Sequence, residues 1–150
     1  MGRLSEILAR AQQMAAENNL PYEGALSPRE AFELLSLAPG SKLVDVRTRA
    51  ELEWVGRVPG SVEIEWQSWP TGQLNPSFFN ELEKQIDKES LVMFLCRSGA
   101  RSHAAAMSAK QSGFLTVYNV LEGFEGDKDP EGHRGNLGGW RQAGLPWRQS

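Results

Sequence analysis

Leu91-Val92-Met93-Phe94-Leu95 runs into Cys96-Arg97-Ser98-Gly99-Ala100-Arg101-Ser102, and the other elements of the chain arrange themselves around this stretch. A short, bounded apolar run of this kind fits a fully buried strand. The segment from Ser102 to Gln111 then reads as a helix, because Ala104, Ala105, Ala106 and Ala109 are strong helix formers. Gly113 supplies the stop, since glycine tolerates the left-handed conformation on which helices often end. Cys96, the one cysteine of the chain, therefore sits where a strand ends and a helix begins. Amides at a helix start lack intrahelical partners, and the helix dipole favours negative charge there. The nucleophilic form of cysteine is the thiolate, which such a position and nearby arginines both favour.

Many free cysteines are inert buried thiols, and position alone does not separate that use from catalysis. The neighbours favour chemistry. Arg97 and Arg101 both lie within five residues of the sulfur. Gly99 lets the backbone curl, Ser98 and Ser102 offer hydroxyl donors, and successive amides can form an anion-binding nest.

At 150 residues the chain fits one domain with a sizeable core. Hydrophobic content of 40% and charged content of 23% are ordinary for a globular protein. A net charge of −3 leaves no basic footprint for nucleic acid or for an anionic membrane. A single cysteine excludes an intramolecular disulfide and an internal resolving thiol. No stretch approaches the ~20 apolar residues of a membrane span, and the start lacks the apolar region of a signal peptide. A cytoplasmic location is the default expectation.

Working outward, Leu4, Ile7, Leu8, Ala11, Met14 and Ala15 recur at helical spacing and predict an amphipathic helix over 3–18. Packing on the domain is its first use, docking a partner its second. Asn18-Asn19-Leu20-Pro21 breaks it. Ser27-Pro28-Arg29-Glu30 is a helix start with a capping box, carrying Ala31, Phe32, Leu34 and Leu35 on its buried face until Pro39-Gly40. Leu43 to Val46 is a strand, Arg49 to Trp54 a short helix and Val62-Glu63-Ile64 a short strand. Trp66 to Gln73 reads as loop, with packing as the first use of its tryptophans and lining a pocket mouth as the second. Asn75-Pro76 starts a helix with Phe78, Phe79, Leu82 and Ile86 on its apolar side, and Leu115 to Tyr118 is the last strand. Strands alternating with helices predict a parallel sheet covered on both faces. Ligands of such sheets bind beyond the carboxyl ends of the strands, where Cys96 lies.

The loop Cys96-x-x-x-x-Arg101 between strand and helix resembles the active-site loop of rhodanese-like sulfurtransferases. Leu43-Val44-Asp45-Val46-Arg47 followed by Glu51 resembles that family's first-strand signature. Gly56-Arg57-Val58-Pro59-Gly60-Ser61 resembles its Gly-His-Ile-Pro-Gly-Ala turn, with Arg57 in place of histidine. Gly113-Phe114 and Val117 through Gly123 resemble the strand and turn after the active-site helix, and Gly144-Leu145-Pro146 the usual domain end. The resemblance covers about residues 25–148.

The resemblance implies an α/β, rhodanese-like three-layer fold: a central, mostly parallel sheet with helices on both faces. It sets a rhodanese-like domain at 25–150 behind a helical extension, 1–24. It implies a sulfurtransferase in which Cys96 takes the outer sulfur of a donor such as thiosulfate and holds it as a persulfide. The sulfur then passes to a thiophilic acceptor, cyanide or a thiol, in ping-pong fashion. Arg97, Ser98, Gly99, Ala100, Arg101 and Ser102 would bind the substrate. Arg97 would favour anionic donors, and Arg101 would close the loop and support the persulfide. Asp45 and Arg47 would brace the loops, unless they form a mere exposed ion pair. Arg57 would act from the same supporting layer, and its exchange for histidine is not expected to abolish activity. No cofactor or metal is implied. The partners implied are a small anionic sulfur donor and a thiol or cyanide acceptor, with a protein sulfur acceptor as the alternative, and neither nucleic acid nor membrane.

Two other functions compete. One is a persulfide carrier or sensing module with little thiosulfate turnover, docked through the 3–18 helix. The other is a cysteine-loop phosphatase or arsenate reductase. Those enzymes place five residues between cysteine and arginine, whereas this chain places four, Arg97 to Ala100. The smaller ring suits a single sulfur atom. Asp127, Asp129 and Glu131 alternate like the start of a calcium loop, but Gly138 stands where its bidentate acid belongs. The glycine-rich segment 126–140 is therefore expected to be a solvated turn, with a substrate-facing His133 or Arg134 as the alternative. His103 is expected to be a partly exposed helix histidine rather than a base.

Overall fold

A computed structural model describes residues 2–149. In chain order the elements are α1 (Arg3–Glu17), β1 (Gly24–Leu26), α2 (Pro28–Leu37), β2 (Lys42–Asp45), α3 (Arg49–Trp54), β3 (Val62–Glu63), α4 (Phe78–Gln85), β4 (Leu91–Leu95), α5 (Ala100–Gln111) and β5 (Thr116–Val120). The strands form one sheet in the order β1-β5-β4-β2-β3. All four pairings are parallel, with Val44 opposite Phe94 and Phe94 opposite Asn119.

Alternation along β4 divides the core into two layers. Val92, Phe94 and Cys96 face a cluster containing Phe78 and Leu82 of α4 and Ala105, Ala106 and Ala109 of α5. Met93 and Leu95 face the opposite cluster, with Ile7 and Ala11 of α1, Ala31 and Leu34 of α2, and Trp140. The three-layer α/β architecture is thus present, and the cysteine lies on the α4–α5 side at the carboxyl end of the central strand.

Local chemistry sets the helix starts. Ser27 and Glu30 form the expected capping box of α2. Thr48 and Glu51 form a second one on α3. Helix α5 begins at Ala100, two residues before the alanine-rich run, because Gly99 adopts φ +113° and turns the chain straight into it. The last strand runs Thr116–Val120 rather than from Leu115, which is exposed.

Strand β1 has no counterpart in the sequence reading. Three residues, Gly24-Ala25-Leu26, are too few for an alternating pattern; pairing with Tyr118, Asn119 and Val120 makes the strand. Helix α1 buries Ile7, Ala11 and Ala15, while Met14 of the predicted stripe is exposed.

The expectation of a solvated turn over 126–140 needs correction. Residues 127–137 are mostly exposed, but Asp129 organises them by accepting from the Glu131 and His133 N–H groups and from Asn136. The segment then dives inward. Trp140 is fully buried and donates its indole N–H to the Pro146 carbonyl at 2.8 Å. Glycines allow the dive, since a Cβ at Gly126 would lie 2.3 Å from the Gly138 carbonyl oxygen. Among the described residues, no helix is long and apolar enough to cross a membrane.

Candidate active site

Cys96 is 1% exposed, at the start of the loop joining β4 to α5. The Gly99 N–H points at Sγ from 3.1 Å, and the Ser102 hydroxyl lies 3.3 Å from it. Both donors belong to the first turn of α5 or its cap, so unpaired amides and the helix dipole act together on the sulfur. The loop is held from behind. Phe124 donates its N–H to the Cys96 carbonyl at 2.8 Å, and Glu125 and Gly126 donate to the Arg97 carbonyl at 3.0 and 3.2 Å. Asn119, buried on β5, donates to the Gly99 carbonyl at 3.4 Å while its Oδ1 has no partner.

The two loop arginines face different surroundings. Arg97 is exposed, and among the described residues it forms no ion pair. Arg101 gives both terminal nitrogens to Glu51, at 2.6 and 2.8 Å. Burial alone would push the Glu51 carboxyl up. The Arg101 hydrogen bond and charge, with the Thr48 N–H and hydroxyl, outweigh burial and hold it at about 2. The Glu51 hydrogen bond raises Arg101 in return, against its own burial, and the nearby Cys96 sulfur adds to the rise.

Asp45 and Arg47 are fully buried, which removes the reading of an exposed pair. Arg47 Nε and Nη2 meet the carboxylate at 2.7–3.2 Å, and Nη2 also donates to the Gly56 carbonyl. Its guanidinium lies 4.1 Å from the centre of the Phe124 ring, so the pair braces the turn that holds the cysteine loop. Arg57 stands apart. It pairs with Glu63 at 3.0 Å and lines a polar cleft of about 650 Å³ with Arg49 and Lys84, a cleft with no residue of the cysteine loop in its wall.

Of the other candidates, Ala100 opens α5, and Ser98 lies in the loop with no side-chain hydrogen bond among the described residues. His103 is half-buried with Nδ1 2.7 Å from the Tyr22 hydroxyl, whose titration burial raises. Arg134 donates to the Gly126 carbonyl, and His133 is exposed in the turn. Among the described residues, no group of three or more His, Cys, Asp or Glu side chains is placed to hold a metal ion.

Above the loop opens a second cleft of about 400 Å³, lined among others by Glu51, Trp69, Pro70, Arg97, Arg101 and Glu125. Glu125 has no signal in the sequence, whereas Trp69 takes the pocket-mouth place that stands second to packing in the sequence analysis. An exposed tryptophan beside a cysteine loop carries no periodic signal. Glu51 was visible only as part of a motif, although Thr-x-x-Glu at 48–51 spells a helix cap.

Residues 28–129 match the rhodanese-like domain family. The crystal structure of Rv0390 from M. tuberculosis is similar to this chain, with TM-score 0.79 and 46% identity over 86% of this chain and 99% of that one. A sulfurtransferase of Allochromatium vinosum is 32% identical over 104 residues, covering 69% of this chain and 75% of the relative. The solution structure of the polysulfide-sulfur transferase homodimer from Wolinella succinogenes has TM-score 0.60 and 25% identity, over 97% of this chain and 89% of that one.

Proposed function

The chain belongs to the rhodanese-like domain family, and from that premise we propose that it moves a sulfane sulfur through a persulfide on Cys96. The Cys96 thiolate attacks the outer sulfur of a donor such as thiosulfate. A bond forms between the two sulfurs, and sulfite leaves with the electron pair. A thiophilic acceptor, cyanide or a thiol, then takes the outer sulfur and returns Cys96 as thiolate.

The observation that carries this reading is the contact between Sγ and the Gly99 N–H at 3.1 Å, at the head of α5. Such a donor stabilises negative charge on sulfur before and after transfer. The remaining roles follow from it. Ser102 supplies a hydroxyl, Ser98 and Ala100 contribute loop backbone, and Arg97 attracts anionic donors. Arg101 pins α5 to α3 through Glu51, and Asp45 with Arg47 stiffens the frame. Arg57 serves the neighbouring turn.

One observation favours a carrier role with slow thiosulfate turnover. Arg101 is already neutralised by Glu51, which leaves Arg97, without an ion pair among the described residues, as the loop cation for an anionic donor. The same experiment separates the two. Intact mass is measured after incubation with thiosulfate without reductant, then after cyanide. A gain of one sulfur atom that cyanide removes, and that Cys96→Ser lacks, supports the enzyme. No gain, with the thiol still open to alkylation, favours a carrier loaded by another protein.

A further inference from the structure

The residues after Pro146 fold back onto the frame of the cysteine loop. Arg57 and Arg148 exchange backbone hydrogen bonds in both directions, at 2.8 and 2.9 Å, as an antiparallel bridge. The bridge brings the Trp147 ring onto Gly56, where a Cβ would lie 2.6 Å from an indole carbon. Gly56 is therefore a seat for the indole, since any side chain there would take its place. The same indole meets the Phe124 ring edge-on, with centroids 6.1 Å apart. The Arg141 guanidinium joins the two rings, 5.7 Å from the centre of Phe124 and 5.4 Å from that of Trp147.

These contacts reach both supports of the cysteine. The Gly56 carbonyl accepts from Arg47, which Asp45 holds. The Phe124 ring lies 4.1 Å from the Arg47 guanidinium, and the Phe124 N–H holds the Cys96 carbonyl at 2.8 Å. One residue, Phe124, thus stands between the indole and the cysteine. Phe124 is fully buried and Trp147 is 39% exposed, so the indole is the outer face of this stack.

We propose that Trp147, which lies beyond the residues 28–129 that match the family, is a positioning residue for Cys96. The proposal deepens the persulfide reading of Cys96 and rests on it. The indole limits the movement of the Phe124 ring. The Phe124 backbone in turn fixes the Cys96 carbonyl, and with it the approach of Sγ to the Gly99 N–H. A reactive group keeps its geometry only when the side chains behind it are locked by packing. Without the indole the Phe124 ring gains room, its bond to the Cys96 carbonyl slackens, and Sγ spends less time on its donor.

The test compares the full chain with Trp147→Ala and Trp147→Phe. Iodoacetamide alkylation of Cys96 at fixed pH is measured beside the urea unfolding midpoint. Trp147→Ala is expected to alkylate about two- to tenfold more slowly, the range that an edge-on aromatic pair can transmit. Trp147→Phe restores a ring edge and should recover most of the rate. General loosening would act the other way, because Cys96 is 1% exposed and opening its surroundings speeds alkylation. An unchanged or faster rate in Trp147→Ala overturns the proposal, and so does a slow rate that Trp147→Phe does not recover. Should Trp147→Ala fail to fold, Trp147→Leu replaces it, keeping apolar bulk on Gly56 without a ring edge, and the same slowing is expected. In a Phe124→Leu background the exchange of Trp147 for alanine should change the rate little, and a full effect there overturns the route through Phe124. Persulfide formation from thiosulfate should slow by the same factor at saturation, with the half-saturating concentration unchanged. A wild type that gains no sulfur counts against the persulfide reading alone, and the order of alkylation rates still decides the role of Trp147.

Discussion

Glu51 and Arg101, fifty positions apart in the chain, meet through both carboxylate oxygens and both terminal guanidinium nitrogens, at 2.6 and 2.8 Å. The contact ties the start of α5 to the start of α3, where the same carboxylate completes the Thr48 cap. One side chain thus fixes two helix ends that flank the cysteine. It also means that Arg101 acts on the loop through position more than through free charge.

A pH dependence follows. The Glu51 carboxyl is held at about 2, below its ordinary 4.5. A depressed carboxyl adds stability above its unfolded value, and that stability is lost as pH falls towards the folded value. The stability gap between the wild type and Glu51→Gln should therefore be full at neutral pH and shrink from about pH 4.5 to about pH 2. Denaturant midpoints of both proteins across that range check it. A gap of constant size would show that the carboxylate charge is not what Arg101 needs.

The buried Asp45–Arg47 pair makes a different prediction. Arg47→Met leaves the Asp45 carboxylate buried without its partner, and breaking such a pair costs about 3–5 kcal/mol. Replacing both, as Asp45→Leu with Arg47→Met, should recover most of that loss, because an apolar pair carries no desolvation cost. Equilibrium unfolding in urea measures each. A single variant that loses less than about 1 kcal/mol would mean that water reaches the carboxylate.

Asn119 separates architecture from chemistry. Its amide holds the Gly99 carbonyl at 3.4 Å, and its Oδ1 has no partner. Removing the amide relieves the buried, unpartnered Oδ1, and the Gly99 carbonyl still accepts from the His103 N–H and the Ser102 hydroxyl, so no buried group is newly orphaned. Asn119→Leu should therefore keep the unfolding midpoint of the wild type, yet slow Cys96 alkylation at fixed pH by about fivefold, the equivalent of one hydrogen bond of about 1 kcal/mol. A variant that unfolds more easily but alkylates at the normal rate would make Asn119 a packing residue only.

Much of this was legible in the chain. The apolar run Leu91–Leu95, the alanine-rich helix and the Ser27–Glu30 cap are local patterns, and the structure reproduces them. The parallel order followed from the alternation of strands and helices. What stayed hidden was non-local. Strand β1 exists because β5 offers it partners. Trp140 is buried inside a glycine-rich stretch whose composition reads as solvated, since the close backbone approach of Gly126 to Gly138 leaves no trace in periodicity. The cleft rim at Trp69 and the Glu51–Arg101 contact likewise need the folded chain to bring distant residues together.

Gly123 is where these non-local contacts converge. It sits at φ +65°, and a Cβ there would lie 2.5 Å from the carbonyl atoms of Cys96 and Arg97. Those atoms are backbone and cannot rotate away. The same carbonyls accept the N–H groups of Phe124, Glu125 and Gly126, so any retreat breaks the bonds that hold the cysteine loop. Gly123→Ala combines left-handed strain of about 1–2 kcal/mol with an overpacking cost of about 1–3 kcal/mol. A loss of about 2–5 kcal/mol in unfolding free energy is expected. The loop should suffer beyond that loss: at a temperature where the variant remains folded, the Gly99 N–H no longer meets Sγ and Cys96 alkylation slows. A Gly99→Ala control carries the left-handed strain at φ +113° without the clash, its nearest contact being 3.8 Å. If both variants lose equal stability, conformational strain alone explains Gly123. If Gly123→Ala loses clearly more, the close approach of the two turns is what keeps the cysteine loop in place.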